Sequence, residues 1–270
     1  MTTEAKRYTT ENPLRILSLG WGVQSWTLAA MAALGEIPMP DYAVHADTTH
    51  EMAGTYTHAE KWTPWLEEHG VKVRTVSSQN AGVITSNGKG VPMPVFLTGN
   101  GDNGAQTRRQ CTEEWKISPL RRFARSVINS PKPGSVEMWM GISLDEWQRM
   151  KTSNVGYITN VYPLVDSRIT RARCVEWLEQ HGLDIPPKSA CTFCPYHNEA
   201  SWKRMKQAGG ADWDHAVEAD EAIRNIPISG AKLYLHRQRL PLEEAVRIPE
   251  DYGAKQMEMD IPCDSGHCFV

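Results

Sequence analysis

Short apolar runs alternate with helix-like segments through the first half of the chain. Four runs predict buried β-strands, namely RILSL, YAVHAD, VKVRTVSS and VEMWMGI. The helix-like segments SWTLAAMAAL and TYTHAEKWTPWLEEHG follow the first and second runs, and the latter ends at a glycine. Strands alternating with helices are typical of a parallel sheet covered on both faces. We therefore predict an α/β fold with a parallel sheet flanked by helices.

The pattern changes twice farther along the chain. The segment from Gln79 to Thr107 is rich in Gly, Asn and Pro, which predicts a mobile loop or lid rather than packed structure. After Pro163 the pattern becomes helical, and the chain ends in an irregular tail. We predict an α/β domain over residues 1–165 and a helical C-terminal region over residues 166–270.

Composition narrows the function classes. The 270 residues carry a formal net charge of −3, which argues against a general affinity for nucleic acid but leaves local basic patches open. The segment MTTEAKRYTTENP lacks the apolar stretch of a signal peptide. The uncharged run from Ile16 to Leu34 contains glycines, serines and a glutamine, so it indicates strand, bend and helix rather than a membrane span. We expect a cytoplasmic protein without a membrane partner.

The bend LSLGWGVQSW joins the first strand to the first helix. A glycine-containing turn of this kind directs backbone N–H groups and a helix N-terminus at one spot, which suits a phosphate. A Walker A loop is excluded because the bend has no lysine. A dinucleotide fingerprint would begin at Gly20 and Gly22 but has Ser25 in place of its third glycine. A plain tight turn is the remaining alternative.

The stretch SLGWGVQS resembles the S-x-G-G-x-D-S loop of the PP-loop ATP pyrophosphatases, specifically their phosphoadenylyl-sulfate (PAPS) reductase-like branch. Trp21 replaces a glycine of that loop and Gln24 replaces its aspartate. The resemblance implies the adenine nucleotide alpha hydrolase fold, which is Rossmann-like, and a PP-loop nucleotide-binding domain at residues 1–165. It also implies that the loop holds the phosphates of ATP or of a PAPS-type nucleotide. The implied contacts are Ser18, Gly20, Gly22, Gln24 and Ser25.

Two further segments resemble motifs of the same family. HADTTHE is similar to D-T-G-x-x-x-P/E, and the resemblance implies that Asp47 and Thr48 lie beside the nucleotide. GISLDEWQRM is similar to G-I-R-x-D-E-S-x-x-R, with matches at Gly141, Asp145, Glu146 and Arg149. Arg149 would then pair with a phosphate or sulfate oxygen, for which a guanidinium fork is suited. The alternative is an ordinary charged helix start.

Six cysteines in a cytoplasmic chain are more often ligands or redox groups than disulfides. In KSACTFCPYH, Cys191 and Cys194 have the spacing of two ligands on one tight turn, and His197 follows. Cys111, in RRQCTEEWK, is the best distant donor. A structural zinc site that uses His197 remains open from the residues alone.

Resemblance to the iron-sulfur branch of the family favours a cluster, with structural zinc and free or redox thiols as the alternatives. The segments CTxxxK and KSACxFCPxH of this branch imply a 4Fe-4S cluster bound by Cys111, Cys191 and Cys194. A fourth ligand would come from the tail or be missing. Cys174 lies at an apolar helical position and is predicted to be a buried, inert thiol.

The tail PCDSGHC places Cys263 and Cys268 on a glycine-bearing C-terminus. PAPS and adenylyl-sulfate reductases have a nucleophilic cysteine on a comparable tail, so the resemblance implies a catalytic role for either residue, beside Arg149. The tail could instead complete the cluster or form a redox disulfide. The remaining alternative is a disordered end.

Two groups of basic residues indicate either solvated helix faces or a surface for phosphates and nucleic acid. The first group surrounds Cys111, and the second precedes and opens a predicted helix. Their members are Arg108, Arg109, Lys116, Arg121, Arg122 and Arg125, and then Arg168, Arg171 and Arg173. Lys188 is a further phosphate candidate.

Taken together, the resemblance implies an enzyme of ATP-dependent sulfur transfer with a 4Fe-4S cluster, ATP and Mg²⁺. A sulfur donor and a tRNA or DNA acceptor would be its partners, and a homodimer is an open option. One alternative is a PAPS or adenylyl-sulfate reductase that uses a tail cysteine and a thiol reductant. A second alternative is a non-catalytic nucleotide- or nucleic-acid-binding protein with structural zinc.

Overall fold

The computed structural model describes residues 8–79, 91–98, 105–128, 130–226 and 230–248. Its centre is a five-stranded sheet in which every neighbouring pair is parallel. Its strands, in the spatial order β3-β2-β1-β5-β6, are β1 Leu14–Ser18, β2 Tyr42–Asp47, β3 Val73–Ser77, β5 Val136–Trp139 and β6 Ile158–Val161. The predicted α/β class is confirmed, and β6 is a strand that the sequence pattern missed.

The strand order places a crevice at the carboxyl edge of the sheet. The chain runs outward on one side through β2 and β3, and on the other side through β5 and β6. The connections that leave β1 and β5 therefore diverge, and ligands of open α/β sheets bind at such a switch point. The segments at this edge are the predicted phosphate loop and the start of GISLDEWQRM.

One face of the sheet is covered by α1 Val23–Ala33, α2 Ala53–Glu68 and α5 Arg171–Gln180. Residues of all three helices share one hydrophobic core with the sheet. The core contains Trp26, Trp62 and Cys174, whose thiol is buried as predicted. Helix α5 follows Pro163 in the chain yet belongs to this core.

The opposite face is covered by α3 Ser118–Val127, which continues a π-helical turn at Thr112–Ile117. Leu120 and Ala124 of α3 pack on β1, β2 and β5. A cleft stays open between strands β5 and β6 on one side and the π-helical turn with the start of α3 on the other, and Ser18 at the end of β1 also lines it. Residues of the predicted phosphate loop and of the segment GISLDEWQRM both line this cleft.

A third core joins the C-terminal region to a segment predicted to be a loop. Helices α6 Glu199–Ala208 and α7 Ala211–Ile223 pack here with Val91, Met93 and Val95. The remaining elements are α4 Pro163–Asp166, α8 Leu242–Ala245, and the antiparallel pair β4 Phe96–Thr98 and β7 Lys232–Tyr234.

The prediction of a loop without packed structure is therefore wrong for residues 91–98. The apolar side chains of Val91, Met93 and Val95 alternate with prolines, and they are buried by helices that come more than 100 residues later in the chain. Residues 80–90 and 99–104 of that prediction lie outside the described residues. Among the described helices, none is both long and apolar enough to cross a membrane.

Candidate functional site

The predicted phosphate loop lies between β1, which ends at Ser18, and α1, which begins at Val23. The backbone N–H of Trp26 donates to the carbonyl of Gly22 and closes the first turn of α1. No acidic residue lies in this turn, so nothing in the first turn offsets the positive end of the helix dipole.

The side chain of Trp21 does not block the space in which the loop could hold a phosphate. Its backbone has a φ of 56°, in the left-handed region that favours glycine. Its indole is fully buried against Trp26 and His58, at centroid separations of 6.0 and 5.9 Å. The ring is therefore part of the core behind the loop, and the pocket in front of the loop stays open.

This loop pocket has about 660 Å³ of empty space, including its open mouth. Its walls contain most of the residues implied by the family resemblance. Arg171, at the start of α5, and Lys188 and Ser189, which follow that helix, complete the walls. The lining residues are Ser18, Gly20, Gly22, Val23, Gln24, Ser25, Met140, Gly141, Ile142, Arg149, Arg171, Pro187, Lys188 and Ser189.

Gly141 is required by a close approach of two backbones. A Cβ added at this position would lie 2.7 Å from the backbone N of Ser25 and 2.9 Å from its Cα. Such distances are too short for any side chain, so only glycine lets the segment after β5 pack on the start of α1. The match of Gly141 to the family motif thus has a steric cause.

A hydrogen-bonded network holds the polar side chains of the loop pocket. Gln24 Nε2 donates to Glu146 Oε2 over 3.0 Å, and Gln24 Oε1 accepts from Arg171 Nη1 over 3.1 Å. Arg149 Nη1 donates to the same Glu146 oxygen, and both side chains are nearly buried. Arg149 Nε is buried and makes no hydrogen bond to any described residue. A buried donor in this state calls for a partner, which can be a ligand or an ordered water.

Three of the residues implied by the resemblance lie apart from the loop pocket. Asp47 Oδ1 accepts from Thr49 N and from the Tyr56 hydroxyl, so this carboxylate stabilises the turn after β2. Asp145 Oδ1 accepts from Arg171 N at the start of α5. Thr48 is buried beside the cysteines instead.

The cysteines Cys111, Cys191 and Cys194 line one pocket of about 440 Å³. Cys191 and Cys194 lie on a tight turn in which Cys194 N donates to Cys191 O over 3.1 Å. Cys111 precedes the π-helical turn, and its backbone N–H donates to Pro92 O over 2.8 Å. The buried segment 91–95 therefore fixes the position of Cys111 relative to the other two.

Cys191 is largely buried among polar side chains. Thr48 Oγ1 lies 3.4 Å from Cys191 Sγ. Burial raises the pKa of the Cys191 thiol, and the negative charge of Glu51 raises it further. Lys116 Nζ pairs with Glu51 Oε1 over 3.0 Å, and both side chains are largely buried. Without a bound cation Cys191 is therefore a thiol, and a coordinating metal would favour its thiolate.

Cys111, Cys191 and Cys194 line this pocket, and His197 follows them in the chain as a further donor considered for a metal. In the part of the chain that is described, no three His, Cys, Asp or Glu side chains converge to hold one metal ion. His197 Nε2 lies 2.9 Å from the carbonyl oxygen of Cys191, so this nitrogen is engaged by backbone. In a 4Fe-4S cluster each thiolate binds a different iron. Three cysteines spread around one pocket suit that arrangement.

A larger cleft connects the loop pocket with the cysteine pocket. It has about 1240 Å³ of empty space, including its open mouth. It shares Ser18 and Arg149 with the loop pocket, and Arg109, Thr112 and Lys116 with the cysteine pocket. The two predicted sites are thus neighbours along one surface.

Comparisons with known proteins show a distant likeness only. No protein-family model matches the chain, and no curated protein matches it in sequence. Among solved structures, a PAPS reductase from Candida auris in a phosphate complex is 10% identical, with a TM-score of 0.40, covering 66% of this chain and 81% of that one. The U34-tRNA thiolase NcsA from Methanococcus maripaludis with its 4Fe-4S cluster is 14% identical, with a TM-score of 0.40, covering 78% and 72%. A likeness of this extent assigns neither an activity nor a ligand to this chain.

Two of the implied catalytic residues, Cys263 and Cys268, lie outside the described residues. Arg149 lines both the loop pocket and the connecting cleft. No disulfide joins the four cysteines within the described ranges.

Sequence reasoning missed two residues of the site, Ser189 and Glu51. Ser189 Oγ donates to the Gly20 carbonyl over 2.6 Å and so ties the segment before Cys191 to the loop. Glu51 pairs with Lys116, which is distant in sequence. Gln24 was implied by the resemblance, but its contact with Arg171 was not predicted. The only sequence signal for these contacts was their nearness to the quoted motifs.

Proposed function

We propose that this chain is an enzyme of ATP-dependent sulfur transfer that carries a 4Fe-4S cluster on Cys111, Cys191 and Cys194. The observation that carries the proposal is the shared cleft. The loop pocket, which three cations line, and the pocket that the three cysteines line each share lining residues with this cleft. A substrate lying in the cleft would reach both groups.

The loop pocket has the charge needed for a polyphosphate. Backbone N–H groups at the start of α1 and the side chains of Arg149, Arg171 and Lys188 line it. An acceptor oxygen attacks the α-phosphorus of ATP, a new P–O bond forms, the α–β bridging P–O bond breaks, and pyrophosphate leaves. Donors fixed in the pocket stabilise the charge that develops on this leaving group.

The second step replaces the activated oxygen by sulfur. When bound, the cluster would supply a place for sulfide beside the acceptor. A sulfide from an external sulfur donor attacks the activated carbon, a C–S bond forms, and AMP leaves with the oxygen, so that no net redox change occurs. Lys116, held by Glu51 between the cysteine pocket and the cleft, places a positive charge beside the incoming anion.

The cleft also suits a nucleic-acid acceptor. Its floor is apolar, with Met138 and Ile158, whereas its rim carries Arg109, Arg121 and Lys151. An apolar floor can accept a base and a basic rim can contact phosphates. We therefore propose a tRNA or DNA nucleotide as the acceptor.

Anaerobic reconstitution with iron and sulfide tests the cysteine assignment. We expect about four irons and four sulfides per chain, which is the content of one complete cluster. We also expect the broad visible absorption of such a cluster. Cys191→Ala should abolish the absorption. Cys174→Ala is the matched control, because Cys174 is a free, buried thiol of α5 away from the pocket. A colourless protein with stoichiometric zinc would contradict the assignment.

Activity assays separate the proposed reaction from its alternatives. Release of pyrophosphate from ATP that depends on an acceptor supports sulfur transfer. Release of sulfite from PAPS without ATP consumption would establish a reductase instead. Tight ATP binding without pyrophosphate release, with every acceptor supplied, would establish a non-catalytic protein.

A further inference from the structure

The loop pocket contains three positive side chains and no carboxylate among the residues that line it. Arg149, Arg171 and Lys188 line its walls, together with the positive end of α1. Mg²⁺ at phosphate sites is usually held by one or two carboxylates together with the phosphates and water. The donor set of this pocket therefore does not fit the magnesium ion that the family resemblance implies.

Gln24 stands at the position where a carboxylate would serve such an ion. Its neutral carboxamide uses both ends within the protein, with Nε2 on Glu146 and Oε1 on Arg171. The acceptor oxygen that could face a cation is thus occupied by a guanidinium. Gln24 is a positioning residue for Arg171, because its Oε1 accepts from Arg171 Nη1 and so holds the guanidinium at the wall of the pocket.

The nearest carboxylates are also occupied by positive or N–H groups. Glu146 accepts from both Arg149 and Gln24. Asp145 accepts from Arg171 N at the start of α5. Glu51 is paired with Lys116. A divalent cation in this pocket would have to displace an ion pair or a hydrogen bond before it gained an anionic oxygen from the chain.

We propose that Arg171, held by Gln24, takes the place of a protein-bound metal ion, so that the loop pocket binds the polyphosphate of its nucleotide without a divalent cation. The proposal rests on the proposed function only in requiring a polyphosphate ligand. Arg171 and Arg149 approach that ligand from two separate segments, the start of α5 and the turn at Leu144–Arg149. Arg149 Nε, buried and without a partner among the described residues, is a further donor for it.

Calorimetric titration of the full chain with inorganic pyrophosphate and with ATP tests this, once in EDTA and once in excess Mg²⁺. For the unaltered protein we expect dissociation constants that differ by less than about threefold between the two conditions. Arg171→Gln should weaken binding in EDTA by about tenfold or more, because a charge-assisted contact is lost, and should weaken it less in Mg²⁺. Gln24→Ala should also weaken binding more in EDTA than in Mg²⁺, but by a smaller factor than Arg171→Gln.

Arg173→Gln is the matched control, because Arg173 lies on the same helix but is exposed and paired with Glu176. It should leave both titrations unchanged. If Arg171→Gln does not fold, Lys188→Gln provides a second removal of positive charge from the pocket, with the same expected asymmetry. Binding that appears only with Mg²⁺, or an equal loss in both conditions for Arg171→Gln, overturns the inference and leaves the proposed function standing. Absence of polyphosphate binding in both conditions overturns both.

Discussion

At the scale of single residues, polar side chains of the three motifs take different roles at the carboxyl edge of the sheet. Ser18, Gly22 and Ser25 were predicted from their motif, and they line one pocket. Asp47 and Asp145 belong to equally good motifs, yet their carboxylates accept from neighbouring N–H or hydroxyl groups instead. A short acidic side chain in a turn can cap backbone or bind a ligand, and its spacing in the sequence is the same in both cases.

Gly141→Ala is the sharpest residue-scale test of how the loop pocket is built. The new methyl group would lie 2.7 Å from the backbone N of Ser25, so the segment after β5 and the start of α1 must separate. We expect a loss of about 1–3 kcal/mol in the free energy of unfolding, as for other overpacked sites. Because the pocket is formed by these two segments, pyrophosphate affinity should also fall. Urea denaturation and calorimetry measure the two effects.

Gly156→Ala is the control for that substitution. A Cβ at Gly156 meets nothing within 4 Å, and the backbone there does not have a positive φ. Both stability and affinity should be retained. An affinity in Gly141→Ala equal to that of Gly156→Ala would show that the two segments do not form the pocket together.

At the scale of elements, periodicity was sufficient where an element is long or fully apolar. Strands β1, β2, β3 and β5 and helices α1, α2, α5, α6 and α7 were all predicted from it. It was not sufficient for β6, where only four residues pair, nor for residues 91–95, whose prolines indicated a loop. The burial of those five residues depends on helices far along the chain, which no local pattern contains.

Helix α2 contains a buried histidine that should make stability depend on pH. His58 packs edge-on against Trp26, and burial lowers its pKa from 6.5 to about 4. Between these values the unfolded chain takes up a proton that the folded chain excludes, so stability falls as pH falls through this window. The slope for one such group is at most about 1.4 kcal/mol per pH unit. His58→Phe should reduce the slope of the unfolding free energy between pH 6.5 and 4.

The comparison of the two proteins at pH 7.5 serves as the internal control. Above the window the histidine is neutral in both states, so the difference there reports only the change in packing. Some slope should persist in the variant, because burial also lowers the pKa values of His50 and His197 to about 4. An unchanged slope between the unaltered protein and His58→Phe would show that folding does not lower the pKa of His58.

At the scale of the whole molecule, the site lies where separate cores meet. Cys191 and Cys194 come from the C-terminal region, and Cys111 precedes the helix that covers the sheet. The segment 91–95 packs with that C-terminal region and also holds the backbone of Cys111. Which cysteines would meet was implied by family motifs. How they meet depends on this buried segment, which the sequence pattern did not reveal.

Met93 should therefore control access to the cysteine pocket as well as stability. Its side chain is buried in the third core and also forms a wall of the pocket beside Cys111. Met93→Ala should cost about 2–5 kcal/mol of unfolding free energy, and should expose the thiols because the wall is lost. Val95→Ala is the matched control, since Val95 is buried in the same core but does not line the pocket. In metal-free protein we expect Cys191 to be alkylated faster in Met93→Ala than in Val95→Ala, measured by mass spectrometry under conditions where both variants remain folded. Equal rates would mean that the core stabilises the fold without shielding the cysteines, and the pocket wall would have to be sought among its other lining residues.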